Sequence, residues 1–113
     1  MHELSIAIRI VDIAVQEATD AGAQAVTDLD VEVGSLSGVV IEALDFAMQE
    51  AVRNTILEHA RVNIIKIMAR ARCKQCHNEF ETDDWFDLCP HCQSVDLEIL
   101  QGRKLQVKSL KVI

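Results

Sequence analysis

Proline and glycine are scarce, one and four in 113 residues, so no stretch reads as a flexible linker or a low-complexity tract. No internal repeat shows apart from two short cysteine motifs. Long apolar runs are missing too: an Asp or Glu interrupts every candidate before the eighteen or more residues that span a bilayer. That excludes a membrane-spanning helix and predicts a soluble protein. Basic side chains are in deficit, 11 Lys and Arg against 18 Asp and Glu, for a formal charge of −7. A surplus of that sign opposes a phosphate backbone, so nucleic acid is disfavoured as a partner. Met1-His2-Glu3-Leu4 begins an amphipathic pattern, not a basic patch followed by an apolar stretch. No secretory signal is read, and a cytoplasmic location with reduced thiols is the expectation.

Cysteine is absent except between positions 73 and 92, where it is concentrated as CKQC, twelve residues, then CPHC. Two Cys-x-x-Cys turns separated by a loop of that size present Cys73, Cys76, Cys89 and Cys92 to one tetrahedral zinc ion. Four thiolates fill the shell, which describes a closed, structural site; a catalytic zinc keeps one position open for water. His77 follows the first turn and His91 lies within the second; they could compete as ligands, but the simpler reading is solvent-facing neighbours of the metal. Two disulfides are the alternative for the cysteines and would need an oxidising compartment.

Taken in order, the chain reads as α+β. Ala7, Ile10, Val11, Ala14 and Ala18 recur at helical spacing over about residues 4–19, with Gly22 as the C-terminal stop. Leu29, Val31 and Val33 alternate with Asp28, Asp30 and Glu32, the pattern of a half-buried strand. After Gly34-Ser35-Leu36-Ser37-Gly38, a second helix runs from about Ile41 to near Asn54, with Met48 as core filler.

Two further strands flank the cysteine segment, and both change the parity of their apolar residues, at Ile64-Ile65 and at Lys108-Ser109. This pattern suggests neighbouring strands that leave one core and enter another, with a bulge at the crossing. The organisation expected is therefore a small α/β body of two helices on a small sheet, residues 1–68 plus 104–113, carrying an inserted zinc-ribbon-like module, residues 69–103. Without the insert 78 residues remain, near the size at which one apolar core suffices. The insert would depend on its metal, at about 10 to 16 kcal/mol for structural sites of this kind. Its one tryptophan, Trp85, is expected beside the metal as the module's own small core, with Glu79, Glu81, Asp83, Asp84 and Asp87 read most simply as a solvated rim, a partner-binding face being the alternative.

The N-terminus offers a second set of metal donors. The α-amine of Met1, the amide nitrogen of His2 and its imidazole lie close enough to wrap a metal in a plane of nitrogens, which suits Ni(II) or Cu(II). By itself an N-terminal histidine is a weak signal. MHELSIA, VEVGSLSG, CKQC with CPHC, and the closing LQVKSLKV together resemble the HypA (HybF) family of nickel metallochaperones over essentially the whole length.

The resemblance implies nickel bound at Met1, His2 and Glu3, with His2 indispensable, and structural zinc on the four cysteines. It also implies delivery of nickel to the large subunit of [NiFe]-hydrogenase together with the GTPase HypB. In some organisms urease and its accessory proteins are served as well, and a homodimer is compatible with this reading. One departure matters: some relatives carry a carboxylate in the turn after the first strand, where this chain has Gly38-Val39-Val40-Ile41 and reaches its first acid at Glu42. The Glu3 amide, the Glu3 side chain and Glu42 remain candidates for the fourth nickel ligand.

An enzyme would need a nucleophile with a base, or an open metal position, and the sequence nominates neither. A nucleic-acid-binding zinc ribbon is the main rival by motif. Arg70, Arg72 and Lys74 precede the first turn, although they equally offset the negative charge of a zinc held by four thiolates. A purely structural adaptor without nickel function is third.

Overall fold

In the computed structural model, which describes residues 2–113, the apolar stripe of the N-terminal segment forms α1, His2–Asp20. The five residues of that stripe, Ala7, Ile10, Val11, Ala14 and Ala18, are its buried face. The helix closes as its composition predicts. Gly22 takes φ +70°, the Ala23 amide reaches back to the Ala18 carbonyl at 2.9 Å, and the Gly22 amide bonds Thr19 at 3.0 Å. These are the paired bonds of a Schellman stop, which satisfies carbonyls that have no partner further along the helix.

The alternating segment becomes β1, Val26–Gly34, with Leu29, Val31 and Val33 at 0–1 % exposure. α2, Ile41–Ala51, buries Leu44, Ala47 and Met48. It stops three residues short of Asn54, which instead adopts φ +62° inside a run of turns. β2 is Arg61–Ile67 and β6 is Leu105–Val112; the first sheet has the order β2-β1-β6. The hydrogen bonds give the directions. Asn63 reaches Asp30 and the Ser35 amide reaches Ile67, so β1 and β2 advance together; Ala25 exchanges bonds with Ile113, so β6 runs the other way. Parallel neighbours need a crossover between them, and α2 supplies it.

The two strands expected to be neighbours are thus separated by β1. Both are edges of the sheet. Val62 to Ile65 are all partly exposed, and along β6 the half-buried positions shift from Leu105 and Val107 to Leu110. An edge strand lacks a partner on one side and meets looser packing, which permits apolar residues of both parities. A register irregularity is present in the second sheet, as described below.

β3, Ala69–Cys73, is the centre of a second sheet, flanked antiparallel by β4, Glu79–Thr82, and β5, Leu97–Gln101. Along β3 and β5, Arg70 faces Gln101 while Ala71 faces Ile99, so Leu100 is the extra residue of a bulge.

By its internal contacts the chain divides into two units. One comprises Met1–Glu32, Val40–Ile65 and Gln106–Ile113; the other comprises Val33–Val39 and Lys66–Leu105. In the second unit, the turn after β1 is bonded to both ends of the cysteine-bearing segment. Ser35 Oγ accepts the Ala69 amide at 2.8 Å and donates to the Thr82 carbonyl at 2.9 Å. The Ser35 amide bonds Ile67, the Leu36 amide bonds Gly102 and the Gly34 amide bonds Lys104, each at 2.8 Å. Backbones approach so closely here that a Cβ on Gly34 would strike Gly102, and one on Gly102, at φ +93°, would strike Ala69.

Candidate metal centre

Two turns of the same construction bring the cysteines together. In the first, the Cys73 amide bonds the Asn78 carbonyl at 2.9 Å and the His77 amide bonds the Cys73 carbonyl at 2.8 Å, while the Cys76 amide points at Cys73 Sγ at 3.5 Å. The second repeats this at Cys89: its amide to Ser94 at 3.0 Å, Gln93 to the Cys89 carbonyl at 2.7 Å, and the Cys92 amide to Cys89 Sγ at 3.5 Å. Each turn ends on a residue with positive φ, His77 at 66° and Gln93 at 62°. That conformation is uncommon for a side-chain-bearing residue and is imposed by the tight turn.

The four Sγ atoms all lie within 4.8 Å of one another, with Cys73 to Cys92 at 3.4 Å and Cys76 to Cys89 at 3.6 Å. These are not disulfides, which need about 2.05 Å. A tetrahedral ion with metal–sulfur bonds of about 2.3 Å sets its ligands about 3.8 Å apart, and the cluster has that size. Cys73 and Cys89 are fully buried, Cys76 partly, and Cys92 is exposed. His77 and His91 are exposed and neither joins the cluster.

The electrostatics ask for a cation. The Cys76 amide, with lesser help from the Gln75 amide and the Cys92 and Cys76 side chains, brings the Cys73 thiol down to about 6. Cys92 moves the opposite way, up to about 12: the Ser94 amide lowers it, but the Cys73 side chain, burial and the other two cysteines outweigh that. Four sulfurs this close cannot all ionise on their own, whereas an ion among them deprotonates them together. Soft thiolates in tetrahedral array suit zinc or an iron–sulfur centre.

The basic residues leading into and within the first turn are all engaged. Arg70 pairs with Glu79 at 3.0 Å, Arg72 with Glu98 at 2.7 Å, and Lys74 with Asp96 at 3.8 Å. Pairs this exposed contribute little stability. Trp85 is not the buried core expected of it. It is 53 % exposed and Phe86 is 90 % exposed, and the apolar interior of the module is built instead from Ala69, Ala71, Cys73 and Cys89. Cysteine behaves as a small hydrophobe when buried, so two cysteines and two alanines fill the place an aromatic residue usually takes.

At the other candidate set, Met1 lies outside the described residues. His2 and Glu3 stand in the first turn of α1, with His2 Nδ1 3.7 Å from Glu3 Oε2. Glu3 Oε2 also accepts the Val40 amide at 3.4 Å. That amide, more than the neighbouring His2, holds the Glu3 carboxyl below the ordinary glutamate range. Glu42 is exposed in the first turn of α2.

The family model for hydrogenase and urease nickel incorporation, the HypA metallochaperones, matches residues 1–112. The chain belongs to the HypA family. The hydrogenase maturation factor HypA of Parabacteroides distasonis is 41 % identical over 112 residues, covering 99 % of this chain and 97 % of that one. The HypA of Geotalea daltonii is 40 % identical over 113 residues, all of both chains. In fold, the solution structure of the Ni metallochaperone HypA from Helicobacter pylori superposes with a TM-score of 0.69 at 19 % identity, over 98 % of this chain and 97 % of that one. A second HypA solution structure gives 0.71 at 21 %, over 100 % and 97 %. The family match agrees with the resemblance drawn from the sequence, and this chain's four-cysteine cluster agrees with its two Cys-x-x-Cys motifs. Among the described residues no helix is long and apolar enough to cross a membrane.

Proposed function

We propose that this HypA-family chain carries Ni(II) at its N-terminus, on Met1, His2 and Glu3, and holds a structural Zn(II) on Cys73, Cys76, Cys89 and Cys92. It surrenders the nickel, in the cytoplasm, to the large subunit of [NiFe]-hydrogenase with the help of the GTPase HypB, and urease is a second recipient of the same kind. The observation that carries this reading is the family match, which runs from the first residue and takes in both donor sets.

Physical chemistry supports the division of labour. Thiolates in a tetrahedron suit zinc, while nitrogen donors in a plane suit nickel. Zinc held by Cys73, Cys76, Cys89 and Cys92 would supply charge neutralisation and cross-linking of the two turns rather than catalysis. At the start of α1 the amides of His2 and Glu3 have no carbonyl one turn earlier to bond, so they can be given to a metal without breaking the helix ladder. A cation there meets the positive end of the helix, and loss of the amide protons reverses that repulsion.

Equilibrium dialysis of nickel against zinc-loaded protein tests the reading. One nickel per chain in the wild type, none in His2→Ala, and unchanged zinc in both are expected. Wild-type nickel binding by zinc-replete His2→Ala would overturn it.

A further inference from the structure

The turn between β4 and the second cysteine pair has its polarity reversed. Thr82, 3 % exposed, accepts the Asp84 amide at 3.1 Å and donates its hydroxyl proton to Asp87 Oδ2 at 2.8 Å. Asp84 Oδ1 accepts the Phe86 amide at 2.8 Å, Asp87 Oδ1 accepts the Leu88 amide at 2.9 Å, and the Asp87 amide bonds the Asp84 carbonyl at 3.2 Å. The polar groups are thus spent on fixing the backbone. The apolar ones face water: Phe86 is 90 %, Trp85 53 % and Leu88 45 % exposed. Trp85 and Phe86, two of the module's three aromatic side chains, would add to its stability if turned inward. They are instead held outward on a pinned turn.

We propose that Phe86 and Trp85 form a docking anchor for another protein, one that offers an apolar slot rimmed by lysine and arginine. Aromatic side chains on a rigid turn are the residues that dominate binding energy, and a pinned backbone loses little freedom on docking. Charge selects the partner. Asp83, Asp84 and Asp87 flank the two aromatics in sequence, Glu81 lies just before them, and the chain carries −7 overall. A second copy would set acid against acid, and nucleic acid or an anionic membrane would be repelled in the same way. A basic rim around an apolar slot complements both features.

The anchor rests on the delivery reading for its choice of probes, which are purified HypB and the purified hydrogenase large-subunit precursor. Binding of each to the zinc-loaded full chain is measured at low and moderate salt, alongside sedimentation equilibrium of the chain alone. Phe86→Ser is expected to raise Kd for at least one probe by about 10- to 100-fold. Asp83→Lys changes an exposed residue that takes no part in the bonds pinning the turn, and it should raise Kd and flatten the salt dependence. Zinc content and helix signal should be those of the wild type in both variants.

Wild-type affinity in Phe86→Ser, while the wild type binds a probe, overturns the anchor and leaves the delivery reading standing. Binding of neither probe by the wild type overturns both. Self-association that Phe86→Ser abolishes makes a second copy the occupant and overturns the basic-slot partner.

Discussion

The Glu3 carboxylate, in the first turn of α1, accepts the amide of Val40, the residue that caps α2, at 3.4 Å. Val40 has no side-chain oxygen with which to cap its own helix. In a capping box a glutamate three residues into a helix reaches back to that amide; here a glutamate from another helix does so. Its charge also sits favourably at the positive end of α2.

A pH dependence follows. A carboxyl whose pKa is lower in the folded than in the unfolded chain contributes stability that is present above the unfolded value. That stability is lost as pH falls through the folded one. Glu3 is of this kind, with the Val40 amide the largest cause. The Val40 amide shift is expected to titrate with a midpoint below the free glutamate value of about 4.3. In Glu3→Gln that titration should vanish; its persistence would show that Glu3 is not its source.

The same contact reports on nickel. At the proposed site protons compete with the metal for its nitrogen donors, so nickel affinity should fall as pH drops. A residue added before Met1, which converts the terminal amine to an amide, should abolish binding as His2→Ala does. If the Glu3 side chain completes the shell it must leave Val40, and the Val40 amide signal moves on loading. If the Glu3 amide or Glu42 does so, the signal stays.

Removing the metal from the cysteines should loosen the turns while leaving the helix signal largely in place. Cys89→Ala or strong chelation is expected to strip exchange protection from the amides of His77 and Gln93, which close the two turns. Trp85 is a poor reporter of this event because it is already 53 % exposed.

Ser35→Ala should destabilise by about 1 to 3 kcal/mol, since it leaves the Ala69 amide and the Thr82 carbonyl without their partner. Gly102→Ala should cost more than Gly22→Ala. Both glycines have positive φ, worth about 1 to 2 kcal/mol against a side chain, but at Gly22 the space for a Cβ is open whereas at Gly102 it is filled by Ala69. Denaturant midpoints of the three variants would rank them.

The local features were legible in the sequence. The α1 stripe, the β1 alternation and the Gly22 stop depend on spacing and backbone preference alone, and the structure has them where they were read. The cysteine cluster was legible for a similar reason, since each turn is built within six residues. Long-range pairing was not: that β1 lies between β2 and β6 depends on which strands find each other across distant parts of the chain, and side-chain parity does not encode it. Trp85 misled because aromatic bulk in a small module ordinarily marks a core, whereas here cysteine and alanine fill that place.

The bonds made by Ser35 have a consequence for anyone exchanging parts between relatives. The cysteine-bearing unit is not one stretch of chain: its floor is laid by Val33–Val39, and the stretch Lys66–Leu105 supplies the remainder. A chimera that transplants the later stretch alone sets it on a foreign floor, with Gly34 and Gly102 required to match to within a methyl group. The two stretches should therefore be inherited together, and a faithful graft has to carry both.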